Sequence, residues 1–95
     1  MKLFIDDIRN APSPSWIIAR DYNSALELIK TGLIEEISFD HDLGEEKTGY
    51  DLMVFLEEMI HFNKLSAPII HIHSANLGAY NKMKLCADRI FNKEN

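Results

Sequence analysis

Two short apolar segments of this sequence each end in side chains that can hold a cation or move a proton. Asp6 and Asp7 follow the first segment, and Asp40, His41 and Asp42 follow the second. If both segments are parallel strands of one sheet, these side chains converge on the edge where the strands end, which is where open α/β sheets bind ligands. Crowded carboxylates repel one another, and a hard divalent cation with oxygen ligands relieves that repulsion. The sequence therefore predicts a cation site at this edge.

Strands and helices are predicted to alternate along the chain. Apolar runs bounded by turn or charged residues predict strands at 2–6, 16–20, 36–40 and 68–74. One helix is predicted from Ser24, which fits a capping box, to Gly32, and two more over 50–62 and 78–91. From residue 16 onward this alternation indicates an α/β fold with a mainly parallel sheet and right-handed crossovers.

The connection between the first two predicted strands contains Pro12 and Pro14 and cannot hold a regular helix. Its length of about nine residues, roughly 30 Å when extended, allows the chain to return for a parallel second strand. An antiparallel second strand is also compatible with the sequence. The two later crossovers are expected to place their helices on one face of the sheet. Either the C-terminal helix or a second copy of the chain, in a homodimer, is then expected to cover the other face.

The composition limits the class of protein. A chain of 95 residues predicts one domain, residues 1–95. No apolar run approaches the ~18 residues that indicate a membrane span. The single cysteine, Cys86, excludes an internal disulfide and suits the cytoplasm. The net charge of −5 argues against an extended nucleic-acid interface, including a long DNA-binding surface.

Several short motifs, taken in order, resemble a response-regulator receiver domain. They are Asp6-Asp7 after the first strand, Asp40 ending the third, Gly49-Tyr-Asp-Leu52 starting a helix and Ser74-Ala75 ending the fourth strand. The resemblance implies a truncated receiver or flavodoxin-like fold with four strands in the order 2-1-3-4 and three helices. It also implies that the acidic pair and Asp40 bind Mg²⁺ and that Asp40 accepts a phosphoryl group. The sequence has no fifth strand to carry the lysine of a receiver.

The finer pattern is similar to the receiver-derived family described as cyclic-phosphate processing. The similarity spans nearly the whole chain and rests on Leu3-Phe-Ile-Asp-Asp-Ile-Arg9 with the following Pro12, Asp40-His-Asp-Leu-Gly44, Thr48-Gly-Tyr-Asp51 and His73-Ser-Ala-Asn76. It implies a protein that acts on, or binds, a cyclic phosphate such as the 2′,3′-cyclic end of RNA or of a nucleotide.

The leading hypothesis is therefore a metal-assisted phosphoesterase. Mg²⁺ or Mn²⁺ is expected to bind Asp6, Asp7 and Asp40 and to polarise the phosphate. Histidine side chains commonly transfer protons near neutral pH, and His41 and His73 end neighbouring strands, so they are expected to exchange protons, with Asp40 as a further catalytic residue. The remaining predicted site residues are Arg9, Ser74 and Asn76 for the phosphate oxygens and Asp42, Thr48 and Asp51 in support.

Several of these residues have a structural alternative, since short polar side chains also cap helices and turns. Thr48, Asp51 and Asn76 are candidates for helix caps, and Asp42 for a turn. Two other functions are also compatible with the sequence. One is a non-catalytic binding or signalling module that recognises a phosphate ligand or is phosphorylated on Asp40. The other is an accessory protein that keeps a decayed receiver site.

Overall fold

The computed structural model describes the backbone of residues 1–94 and the side chains of residues 1–92. Its elements are β1 (Lys2–Ile5), β2 (Trp16–Ala19), α1 (Tyr22–Lys30), β3 (Glu36–Phe39), α2 (Gly49–His61), β4 (Ile69–Ile72) and α3 (Leu77–Glu94). Every predicted strand and helix is present. The predicted start of α1 is wrong, because Asp21 caps this helix and accepts a hydrogen bond from the backbone N–H of Ser24. The carboxylate of Asp21 lies three residues before this N–H and can accept its hydrogen bond, whereas the hydroxyl of Ser24 already lies inside the first turn.

All four strands are parallel and lie in the order β2-β1-β3-β4, as predicted. The pairing of Leu3 with Ile17 settles the direction of the second strand, which the sequence left open. The proline-containing connection after β1 returns along the sheet without a helix. Because of this order, the carboxyl ends of β1, β3 and β4 are adjacent. The residues that directly follow these strands therefore lie together at one edge of the sheet.

All three helices pack on the same face of the sheet. The inward side chains of β1 and β3, among them Leu3 and Phe39, form one buried cluster with residues of α1, α2 and α3 such as Ala25, Leu52 and Met83. The C-terminal helix, one of the two expected covers for the opposite face, therefore lies with the other helices instead. A homodimer through that opposite face stays a prediction. No helix within residues 1–94 is long and apolar enough to cross a membrane.

The opposite face carries the alternate residues of each strand and is open in the described part of the chain. Phe4 is nevertheless only 5% exposed, because His73 stacks on its ring at 4.4 Å and the ring of Trp16 packs edge-on at 6.2 Å. Side chains alternate along a strand, so Asp6 lies on the same side of the sheet as Phe4. The carboxyl end of this open face is therefore where the acidic residues gather.

Candidate functional site

Three side chains from three different strand ends meet at the carboxyl edge of the sheet. Asp6 follows β1, Asp40 follows β3 and His73 follows β4. One ligand atom from each lies within 4.8 Å of the others. The parallel register brings them together. Each lies two residues beyond a strand residue on the same face of the sheet, so the three side chains point to the same side. The structure thus brings together residues separated by up to 67 positions in sequence.

Asp6 is fully buried and is held by hydrogen bonds. Its Oδ1 accepts the backbone N–H groups of Ile8 at 2.9 Å and Arg9 at 2.8 Å, while its Oδ2 lies 3.1 Å from Nε2 of His73. Burial by itself raises the pKa of Asp6, but the bonds from Arg9, Ile8 and His73 outweigh burial and lower the pKa below its ordinary value. Asp6 is therefore a permanently ionised carboxylate at neutral pH.

Both ring nitrogens of His73 are engaged inside the protein. Nδ1 lies 2.7 Å from Oγ of Ser38, and Nε2 lies 3.1 Å from Asp6. Burial lowers the pKa of His73, and this effect exceeds the opposing pull of Asp40 and Asp6. The imidazole is thus neutral at pH 7, and one tautomer satisfies every partner: Nε2–H donates to Asp6, and Nδ1 accepts from the Ser38 hydroxyl. His73 holds the buried carboxylate in place.

Asp40 is partly buried, as is His73. One of its oxygens accepts the backbone N–H of His41 at 2.8 Å. Burial and the neighbouring charge of Asp6 raise the pKa of Asp40, and the bond from His41 only partly opposes them. Asp40 is therefore a carboxylate whose ionised form is disfavoured by its surroundings.

An open cleft of about 520 Å³ lies beside Asp40. Most of the predicted site residues line it, namely Asp7, Arg9, Asp40, His41, Asp42, Thr48, Ser74 and Asn76. The predicted residues outside its lining are Asp6 and His73, which form the hydrogen-bonded pair described above, and Asp51. His41 thus lines the cleft, whereas the imidazole of His73 is bonded to Ser38 and Asp6.

Two helices begin at this cleft. Thr48 caps α2 in a capping box with Asp51, and Asn76 caps α3 by accepting the N–H of Ala79 at 2.9 Å. The structural alternatives considered for these three residues are thus confirmed. The remaining N–H groups of the first turns and the helix dipoles place partial positive charge beside the cleft, which favours an anion.

Two turns at the cleft also have defined local roles. Asp42 accepts the N–H of Gly44 at 2.9 Å, which is the turn-capping alternative, and Oγ of Ser74 accepts the N–H of Asn76 at 3.2 Å. Gly49 allows α2 to start against the end of β3, since a Cβ there would lie 1.7 Å from the carbonyl oxygen of Asp40. Four of the side chains that line the cleft, those of Asp42, Thr48, Ser74 and Asn76, are therefore held by turn or helix-cap hydrogen bonds.

Arg9 brings a positive charge to the group. Its Nη1 donates to the carbonyl oxygen of His73 at 3.1 Å, and its Nε lies 3.9 Å from Oδ2 of Asp6. Arg20 fixes this loop by donating to the carbonyl oxygens of Arg9 at 2.6 Å and Asp6 at 3.3 Å. The guanidinium of Arg9 remains about half exposed beside the cleft.

Sequence reasoning missed Ser38 and Arg20. Ser38 precedes Asp40 by two residues and so shares its side of the strand, a signal that alternation along β3 could have provided. Arg20 directly follows β2, but nothing in the sequence indicates that its partners are backbone carbonyls of the preceding loop. Ser38 thus positions the imidazole of His73, and Arg20 positions the loop that carries Arg9.

The donor set fits a hard divalent cation. Carboxylate oxygens are the ligands that Mg²⁺ and Mn²⁺ prefer, and Asp6 and Asp40 offer them at a separation that disfavours two unscreened charges. Asp6 and Asp40 would therefore hold the ion, with His73 next to it. Among the described residues this group does not include Asp7, the third predicted ligand, which lines the cleft near Gly44.

Comparison with known proteins agrees with this geometry. The family model described as the cyclic-phosphate processing receiver domain matches residues 1–89. No curated protein and no solved structure matches the chain significantly. The family match includes all four strands, the acidic group and the cleft. With the four-stranded parallel sheet in the order 2-1-3-4, it establishes that the chain belongs to the cyclic-phosphate processing receiver domain family.

Proposed function

We propose that this chain is a phosphoesterase that opens cyclic phosphates, such as the 2′,3′-cyclic ends of RNA or of nucleotides, with a divalent cation at Asp6 and Asp40. One observation carries the proposal. The cleft is lined by a histidine and by groups that favour an anion, and it borders a carboxylate pair that favours a cation. A phosphodiester and its metal ion require these three features together.

The phosphate would bind where Arg9 and the starts of α2 and α3 face the cleft. A guanidinium can donate two parallel hydrogen bonds to the two non-bridging oxygens of a phosphodiester. Ser74 and Asn76 lie at the start of α3, and the N–H groups of that first turn add partial positive charge. When bound, the divalent cation would neutralise charge on the phosphate and make the phosphorus more electrophilic.

His41 is the proposed proton-transfer residue. His41 is the histidine that lines the open cleft. As water attacks phosphorus, a new P–O bond forms, the bond to one ribose oxygen breaks, and His41 takes the proton of the water. The departing oxygen takes a proton from solvent, to which the cleft is open. We assign His73 to positioning instead, because its two nitrogens already hold Ser38 and Asp6.

The test is turnover of 2′,3′-cyclic nucleotides by the pure protein with Mg²⁺ or Mn²⁺, followed by identification of the product. Chelator should abolish turnover, and Asp40→Asn should do the same. His41→Gln should lower kcat about 10²- to 10⁴-fold, the usual contribution of a general base. Asp21→Asn serves as the matched control, because Asn caps a helix as well as Asp does and Asp21 lies outside the cleft lining. Absence of turnover with either metal would refute the enzymatic proposal.

A second candidate is a binding or signalling module phosphorylated on Asp40. It is favoured by the position of Asp40, which lines the cleft beside the buried carboxylate of Asp6. Beryllofluoride mimics a phosphoryl group on a carboxylate. A tight beryllofluoride adduct that forms in wild type and not in Asp40→Asn, in a protein without turnover, would favour the module over the phosphoesterase.

A further inference from the structure

β4 is an edge strand with an unprotected outer side. Ile69 donates its N–H to Glu35 and His73 donates its N–H to Phe39, so the odd-numbered residues pair with β3. The N–H and C=O groups of Ile70 and Ile72 therefore point away from the sheet, and no other strand of residues 1–94 pairs with them. Proteins usually protect such edges with lysine, proline or a bulge. The strand itself, Ile69-Ile-His-Ile72, contains none of these.

An apolar groove runs along this open edge. A cavity of about 670 Å³ lies between β4 and the outer side of α3, lined by strand residues and by Tyr80, Lys84 and Asp88. Ile69 is 62% exposed and Tyr80 is 36% exposed. An open strand edge beside an apolar groove is the arrangement that binds one more strand, through backbone hydrogen bonds and side-chain contacts together.

The charges at the rim of the groove identify the strand that fits it. Lys84 and Asp88 lie one helical turn apart on α3, 2.7 Å from each other, and each side chain is about half exposed. A two-fold axis between the two residues brings Lys84 of one copy to Asp88 of the partner subunit, and the reverse. The rim is therefore complementary to itself, and the apolar strand needed to fill the edge is β4 of a second copy.

The open sheet face is less suited to be the contact. Its central aromatic residue, Phe4, is already covered. The β4 edge has unpaired backbone groups and the open face does not, so the edge gains more from a partner.

We propose that two copies of this chain associate through their β4 strands, paired antiparallel about a two-fold axis. The two sheets then form one continuous sheet of eight strands, with the α3 helices side by side on the same face. Lys84 of each copy contacts Asp88 of the partner subunit. This proposal does not depend on the phosphoesterase activity.

Sedimentation equilibrium of the full chain over a range of concentrations tests the proposal. Wild type should dimerise reversibly. Ile70→Pro should be monomeric with an unchanged circular dichroism spectrum, because proline removes an outward N–H and none of the bonds to β3. The matched control is Ile18→Pro, which removes the equivalent outward N–H on the other edge strand, β2, and should leave the dimer intact.

A charge-swap cycle on exposed residues keeps the test independent of the stability of the strands. Lys84→Asp should weaken the dimer about tenfold, since two symmetric surface contacts become repulsive at once. The double variant Lys84→Asp, Asp88→Lys restores opposite charges across the axis and should recover the wild-type dissociation constant. A monomer at every concentration, a dimer unaffected by Ile70→Pro, or a double variant as weak as the single one would each overturn the proposal.

Discussion

Removal of the charge on Asp40 should make the metal-free protein more stable. The carboxylate oxygens of Asp6 and Asp40 lie no more than 4.8 Å apart in the cluster with His73. At an effective dielectric constant of about 20, two unit charges at this separation repel by roughly 3 kcal/mol. Asp6 remains ionised, so the cost falls on Asp40, whose pKa burial and this repulsion raise. Asn in place of Asp40 keeps the size of the side chain and removes the charge.

Two effects reduce the expected gain. The bond from the N–H of His41 changes from a charged to a neutral acceptor, which costs about 1 kcal/mol. Solvent and the nearby Arg9 screen the partly exposed carboxylate of Asp40. A net gain of about 1 kcal/mol remains, which corresponds to a rise in Tm of about 4–8 °C for a chain of this length. Thermal unfolding at pH 7 in chelator measures this change.

The same variant should lose the stabilisation that a divalent cation gives to wild type. Mg²⁺ at about 100 times its Kd stabilises a folded protein by roughly 2.7 kcal/mol, and Asp40→Asn removes one of the two carboxylates that would hold the ion. As the pH falls through the raised pKa of Asp40, wild type becomes neutral there too, and the advantage of the variant should disappear. Asp42→Asn, on the exposed turn, is the control for loss of an acidic residue near the cleft. An Asp40→Asn protein that is less stable in chelator, or that gains as much from Mg²⁺ as wild type, would refute this reasoning.

Three further changes test how the site is built. Ser38→Ala leaves Nδ1 of His73 without its hydrogen-bond partner and should lower the free energy of unfolding in urea by about 1–3 kcal/mol. A Ser38→Ala variant as stable as wild type would contradict a stabilising hydrogen bond between these two side chains. Because the folded pKa of His73 lies below the unfolded value of 6.5, its contribution to stability is complete above pH 6.5 and is lost as the pH falls below that value. Unfolding free energies measured from about pH 8 to pH 5 should show this slope, and His73→Asn should flatten it. Gly49→Ala should displace the start of α2 and destabilise the chain by more than about 2 kcal/mol, whereas Gly78→Ala, with the nearest atom 3.5 Å from the new Cβ, should be tolerated; equal calorimetric Tm values for the two would contradict the close approach.

The sequence predicted the sheet because the relevant signals are local. Alternating strand and helix patterns, with turn residues between them, indicated every element, and right-handed crossovers placed α1 and α2 on one face. The side chosen by α3 could not be predicted, since no strand follows it within the described chain to impose a crossover rule. Its position follows from packing against α2, a contact between side chains distant in sequence.

The same limit applies to the candidate site. Acidic residues at strand ends predicted which residues would gather, but the direction of each side chain depends on partners from other elements. His73 is the clearest case, because Ser38 on β3 and Asp6 after β1 bind both of its nitrogens. From the sequence alone, His41 and His73 were both assigned to proton transfer. The structure separates them, because His41 lines the cleft while both ring nitrogens of His73 are bonded to Ser38 and Asp6.

The short connection after β1 explains how this fold provides a positive charge without a fifth strand. The sheet of residues 1–94 ends at β4, so the lysine of an ordinary receiver has no equivalent strand. Arg9 lies in the helix-free connection instead, bonded to the carbonyl of His73 and 3.9 Å from Asp6. A guanidinium differs from an ammonium because it can donate two parallel hydrogen bonds to a pair of oxygens. A cyclic phosphodiester presents two such non-bridging oxygens throughout its hydrolysis. We therefore expect the guanidinium of Arg9 to favour recognition of a diester over transfer of a phosphoryl group to Asp40.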